Sequence, residues 1–113
     1  MALPEFTRAL TEKRLTDFCN AKVPVHVRGQ LRIAFEIKGN DVTIIEERAP
    51  WRQGMTGWTR MPIAKLKYAE NTNKWKLYCA DRNGKWHHYK DMVLGIEEAL
   101  EEIDTDSTGI FWG

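Results

Sequence analysis

The stretch VHVRGQLRIAFEIKGNDVTIIEER, residues 25 to 48, decides the fold class. From residue 25 to 38 Val25, Val27, Leu31, Ile33, Phe35 and Ile37 alternate with His26, Arg28, Gln30, Arg32, Glu36 and Lys38. Successive side chains on a strand point to opposite faces, so the pattern predicts one long strand with a single buried face. Gly39-Asn40 supplies the positive-φ residues of a two-residue hairpin, and Asp41 to Arg48 returns as the second strand. In that register Ile37 faces Val42, and Phe35 faces Ile44.

Toward the N-terminus, residues 4 to 21 read as a helix with Leu15, Phe18 and Cys19 on one face and Phe6 and Leu10 extending the stripe. Thr11 is a candidate N-cap, and Pro24 ends any helical continuation. Toward the C-terminus, residues 48 to 59 contain Pro50, Gly54 and Gly57 and read as a loop carrying Trp51 and Trp58. Residues 60 to 70 resume as a strand, with Ala64, Leu66 and Tyr68 on one face and Ile63, Lys65 and Lys67 on the other. After the turn Asn71-Thr72-Asn73, residues 74 to 80 form a strand with Trp75, Leu77 and Cys79 inward. A two-residue turn at Asn83-Gly84 then sets Trp86 opposite Asp81, His88 opposite Cys79 and Tyr89 opposite Tyr78. A three-residue loop would set Trp86 opposite Ala80, away from the buried face, so the hydrophobic pattern favours the shorter turn.

Val93, Ile96, Leu100 and Ile103 recur at helical spacing from Met92 to Asp104, with Glu97, Glu98, Glu101 and Glu102 left to solvent. DTDSTG ends that helix, and the apolar tail GIFWG is expected to dock, since exposed Ile, Phe and Trp favour aggregation. The prediction is an α+β fold: an antiparallel meander of about four or five strands, an N-terminal helix, and a C-terminal amphipathic helix packed on the sheet. The 113 residues are expected to make one domain. Charges in the first dozen residues and the lack of a long apolar run argue against a leader or a membrane span, so the default placement is cytoplasmic.

Net charge is +1, but it is unevenly spread. Residues 51 to 91 hold nine Lys/Arg against three Asp/Glu, and residues 92 to 113 hold six Asp/Glu and no Lys/Arg. A basic middle could meet phosphate or an acidic partner, or be neutralised by the chain's own acidic end.

The combination VPVHVRGQLRIAFEIKGNDVTIIEERAPW, WTRMPIAKLKY, WKLYCADRNGKWHHY and EEIDTDSTGIFWG resembles a family of small bacterial proteins known only as a domain of unknown function, number 3024. The resemblance covers roughly residues 11 to 113. It implies a single compact domain, supplies no activity, cofactor or partner to carry over, and leaves function open. Cys79 stands where the family pattern leads one to expect tryptophan, which argues against a required metal-binding role there.

His26, His87, His88, Cys19 and Cys79 suggest metal, but adjacent strand residues diverge, so His87 and His88 cannot share an ion on a regular strand. Cys79 and His88 form the one plausible pair, and no third ligand is specified; no metal or other cofactor is expected. Asp104 to Gly109 matches the opening of an EF-hand loop, but the twelfth position would lie past Gly113, so Asp104 and Asp106 read as turn formers. No catalytic motif is present, and Glu36, Glu46, Glu47 and Asp81 are better placed for salt links with Arg32, Arg48 and Lys85 than for acid–base work.

Two binding readings remain, the first slightly ahead of the second, with an enzyme of unknown type as a further alternative. One is a non-catalytic interaction module, with a protein partner or homodimer anchored by Trp51 and Trp58. The other is single-stranded nucleic-acid binding through a basic, aromatic sheet face on which Lys76, Tyr78, His87 and Tyr89 lie together, with Arg60 and Arg82 nearby.

Overall fold

The computed structural model describes residues 3–50, 57–81, 83–106 and 109–112, with residues 90–94 described by their backbone. Helix α1 spans Glu5–Lys22. A short 3-10 turn, Val25–Val27, leads into five strands: β1 Leu31–Lys38, β2 Asp41–Arg48, β3 Thr59–Ala69, β4 Lys74–Ala80 and β5 Trp86–Leu94. Helix α2, Ile96–Thr105, follows. The sheet is an antiparallel meander in the order β1-β2-β3-β4-β5, which establishes the α+β architecture read from the sequence.

The β1–β2 hairpin takes the expected register, with Ile37 opposite Val42 and Phe35 opposite Ile44. The strand does not begin at residue 25, however. Val25 is 74% exposed, and the turn around it is closed by Val27 N–H to the Pro24 carbonyl and Gln30 N–H to the Val27 carbonyl. Arg28 explains the departure: its guanidinium donates to the carbonyls of Asn20 and Val23 and pins this segment to the end of α1. Local hydrogen bonds win over alternation there.

Thr11 is not a cap. The first helical bond runs from Arg8 N–H to the Pro4 carbonyl, and Thr11 lies buried inside the helix beside Leu15 and Cys19. At 100° per residue Phe6 falls opposite Leu15, and it is 79% exposed. Phe6 therefore does not extend the buried stripe. Ile63 also departs from expectation. The pairing of β2 with β3 runs Ile44 to Ala64 and then Ile45 to Pro62, so Ile63 is an extra residue in a bulge and is buried next to Ala64 rather than exposed beside Lys65.

One hydrophobic cluster joins Leu15 of α1, Val42, Ile44, Ala64, Leu66, Trp75, Leu77 and Cys79 of the sheet, and Ile96, Ala99, Leu100 and Ile103 of α2. Both helices therefore cover the same face. α2 begins at Ile96 because residues 92–94 still belong to β5. The tail docks as expected: Phe111 is buried and meets Tyr89 with ring centroids 4.9 Å apart. Asp106, in the left-handed region at φ 45°, accepts the backbone N–H groups of Phe111 and Trp112, and the Trp112 indole donates to the Ile103 carbonyl.

Candidate nucleic-acid interface

The other face of the sheet has no helix over it among the described residues. Its side chains follow from the register. One row runs Glu36, Thr43, Lys65, Tyr78, His88 across the strands; the next runs Lys38, Asp41, Lys67, Lys76; a third, past the bulge, runs Arg32, Glu47, Arg60.

The hairpin between β4 and β5 determines which aromatic residues join them. Asp81 N–H donates to the Lys85 carbonyl and Gly84 N–H to the Asp81 carbonyl, so the connection is a three-residue loop, with Gly84 at φ 79°. Pairing then sets Ala80 opposite Trp86, Cys79 opposite His87 and Tyr78 opposite His88. The two-residue turn expected at Asn83-Gly84 is not formed, because the Asp81 carboxylate organises the longer loop. One oxygen accepts the N–H groups of Asn83 and Lys85, and the other lies 2.7 Å from His87 Nε2.

That single-residue shift regroups the expected site. Lys76 and Tyr78 lie on the uncovered face, but His87 and Tyr89 do not: His87 turns to Asp81 on the helix side, and Tyr89 packs on Phe111 with its hydroxyl 3.1 Å from a Glu102 oxygen. Trp86 and His88 take their places. Alternation misassigned these two because it scores apolarity and not loop chemistry; the overlooked signal was an aspartate two residues before Asn83, able to bond back to the loop backbone. Trp51 and Arg82 lie outside the described residues.

The uncovered face has two halves. Toward the start of β1, Arg60 is paired with Glu36 and Glu47, Arg32 with Glu47 at 2.8 Å, and the Arg32 guanidinium sits 4.0 Å from the ring centroid of Trp58. Ile45, 5% exposed, lies on this half. Arg60 holds the Glu36 carboxyl below its ordinary value by hydrogen bond and charge. Trp58 and Arg60 are thus engaged within the fold, and the salt-linked reading of these carboxylates holds.

Toward β5, Lys65, Lys67 and Lys76 have no ion pair with a carboxylate among the described residues. The Lys65 ammonium lies 5.1 Å from the Trp86 ring and that of Lys67 5.4 Å from the Tyr78 ring, while Tyr78 and His88 stack at 4.8 Å. The sequence matches the family described as "Domain of unknown function (DUF3024)" over residues 3–113. The chain belongs to that family. No curated protein and no solved structure matches it. The match takes in the whole of α1, whose first residues, 5–10, precede the region of roughly 11 to 113 covered by the resemblance.

Other chemistry is poorly served by the described residues. No group of three or more His, Cys, Asp or Glu could hold a metal ion, and the Cys79 thiol faces the His87 carbonyl at 3.7 Å rather than His88. Burial pushes the Cys19 thiol up to about 11, which keeps it protonated and unreactive near neutral pH. Asp81 and His87 resemble an acid–base pair, but both carboxylate oxygens are already engaged in holding the loop. Asp106 bonds to the tail backbone and serves the turn, whereas Asp104 lies within α2 and pairs with Lys22 of α1 at 3.0 Å. Among the described residues no helix is long and apolar enough to cross a membrane.

Proposed function

We propose that this domain binds single-stranded nucleic acid on the β3–β5 half of its uncovered sheet face, through Lys65, Lys67, Lys76, Tyr78 and Trp86. The observation that carries the reading is the interleaving, among the described residues, of lysines that hold no carboxylate ion pair with aromatic rings on a face that no helix covers, while the acidic residues of α2 lie on the opposite layer. Rings and cations so placed match the stacking-plus-phosphate mode of single-strand binders.

A purely structural role accounts less well for two features. Lys67 stands between Asp41 and Lys76 across the strands; its repulsion with Lys76 destabilises the sheet, Asp41 offsets part of it, and a polyanion relieves the remainder. The Lys65 and Lys67 ammonium groups also lie over the Trp86 and Tyr78 rings on flexible stems, while Tyr78 stacks on His88. Lifting an exposed lysine from a ring forfeits roughly 0.5–1 kcal/mol, whereas a stacked base returns about 1–3 kcal/mol. Exchange is therefore favourable, and the released ammonium is near enough to take up a phosphate.

Spacing favours single strands over duplex. Trp86 and His88 are two residues apart on β5, about 6.6 Å at the usual strand rise, twice the 3.4 Å separation of stacked bases in a duplex. Rings so far apart suit splayed bases. The test is fluorescence anisotropy with a labelled twelve-nucleotide single strand at 50 mM salt. Trp86→Ala is expected to weaken binding about tenfold, in line with about 1–3 kcal/mol per stacked base. A wild-type protein that does not bind at 50 μM, or a Trp86→Ala variant that binds as well, would refute the assignment.

A further inference from the structure

The β4–β5 hairpin can pair in two ways, and the chain contains the ingredients of both. Asn83-Gly84 is the strongest short signal for a two-residue turn, and that turn would put Trp86 on the apolar face with Cys79. The structure instead uses the three-residue loop, which puts Trp86 outward and Tyr89 against Phe111. A slip between the two exchanges the half-buried Tyr89 for Trp86 on the covered face, so packing alone discriminates weakly between them.

The slip would also be local. Beyond the paired Tyr78 and His88, the ladder resumes only at Lys76 opposite Val93, so Tyr89–Met92 lies opposite the single residue Leu77. Moving residues 86–89 by one position shortens that irregular stretch by one residue. Leu94 stays opposite Trp75, and α2 does not move. A one-residue slip inverts every side chain in the segment it affects, and here that segment holds Trp86 and His88.

Three bonds belong to the observed register alone: Asp81 Oδ1 with the N–H groups of Asn83 and Lys85, at 2.8 and 2.9 Å, and Asp81 Oδ2 with His87 Nε2. In the slipped register Asp81 would stand opposite Trp86. Asn83 would need the left-handed conformation that a two-residue turn demands of both central residues. In the observed loop Gly84 has positive φ and Asn83 does not.

We infer that Asp81 is a positioning residue that selects the hairpin register and so holds Trp86 on the ligand face. The functional consequence rests on the nucleic-acid reading above; the register does not. Cross-strand NOEs in the unliganded protein distinguish Tyr78 beside His88 from Tyr78 beside Tyr89. Asp81→Ala is expected to populate the second pairing, blue-shift tryptophan emission and weaken single-strand binding about tenfold. Adding Asn83→Ala, which disfavours positive φ at the turn, is expected to return both the first pairing and the affinity. An Asp81→Ala variant that keeps the Tyr78–His88 pairing, or a double variant that stays slipped or unfolded, overturns the inference. If the pairing shifts as expected while neither protein binds nucleic acid, the register assignment stands and the ligand assignment fails.

Discussion

Single carboxylates organise both ends of the C-terminal third. Asp106 holds the tail by accepting two backbone N–H groups, and buried donors left without a partner cost about 1–3 kcal/mol. Asp106→Ala should therefore destabilise by about that amount in urea melts and release Trp112 to a more solvent-exposed emission. Asp106→Gly tests the alternative that the left-handed backbone matters more, because glycine relieves φ while losing the acceptor; it should remain as destabilised as alanine or nearly so. Asp81 acts through charge as well. Its bond to His87, followed by that to the Lys85 N–H, holds its carboxyl below the ordinary value. A depressed carboxyl contributes stability that is present above the unfolded pKa of about 4 and lost as pH falls through the folded value. The stability difference between wild type and Asp81→Asn should shrink as pH falls from 5 toward 3. A difference that grew over that interval would assign the stabilisation to another group.

At the level of elements, α1 gives the cleanest contrast between apolar residues that fold the chain and those that do not. Leu15 is fully buried and Phe6 is solvated. Leu15→Ala should cost roughly 2–5 kcal/mol, as core truncations do, and Phe6→Ala should stay within about 0.5 kcal/mol; denaturant midpoints at constant m decide both. The same contrast explains what the sequence could reveal. The β1–β2 hairpin was legible to the register because alternation and Gly39-Asn40 agree. The segment 25–27 was misread because alternation persists by chance where Arg28 ties the backbone to α1. The binding face was half legible: Lys76 and Tyr78 follow from β4 alone, whereas Trp86 and His88 depend on a loop whose length is set by a side chain, Asp81, that hydrophobic pattern does not score. Where local signals conflict, a strand's face is decided by the hydrogen bonds at its turn.

Across the whole molecule, two charge clusters stand on opposite layers: Lys65, Lys67 and Lys76 on an open sheet face that also carries Glu36, Asp41 and Glu47, and Glu97, Glu98 and Glu101 on α2 behind it. The shortest extent of the fold is 25 Å. At physiological salt the Debye length is about 8 Å, so the two layers act independently; at 0.01 M it is about 30 Å, and each feels the other. This yields a two-part expectation for single-strand binding. Near-physiological affinity should fall with salt at a log–log slope of about −2, since three phosphate contacts contribute roughly −0.7 each, and Lys65→Gln/Lys67→Gln/Lys76→Gln should flatten it toward zero. Glu98→Lys/Glu101→Lys should leave affinity unchanged at 0.15 M and raise it at 0.01 M, because only the long-range repulsion from α2 is removed. Equal effects of the α2 variant at both salts would mean that the ligand touches the helical layer, and the open sheet face would lose its claim. The near-neutral total charge is then no argument against a polyanion partner, because at working salt the ligand senses one face and not the sum.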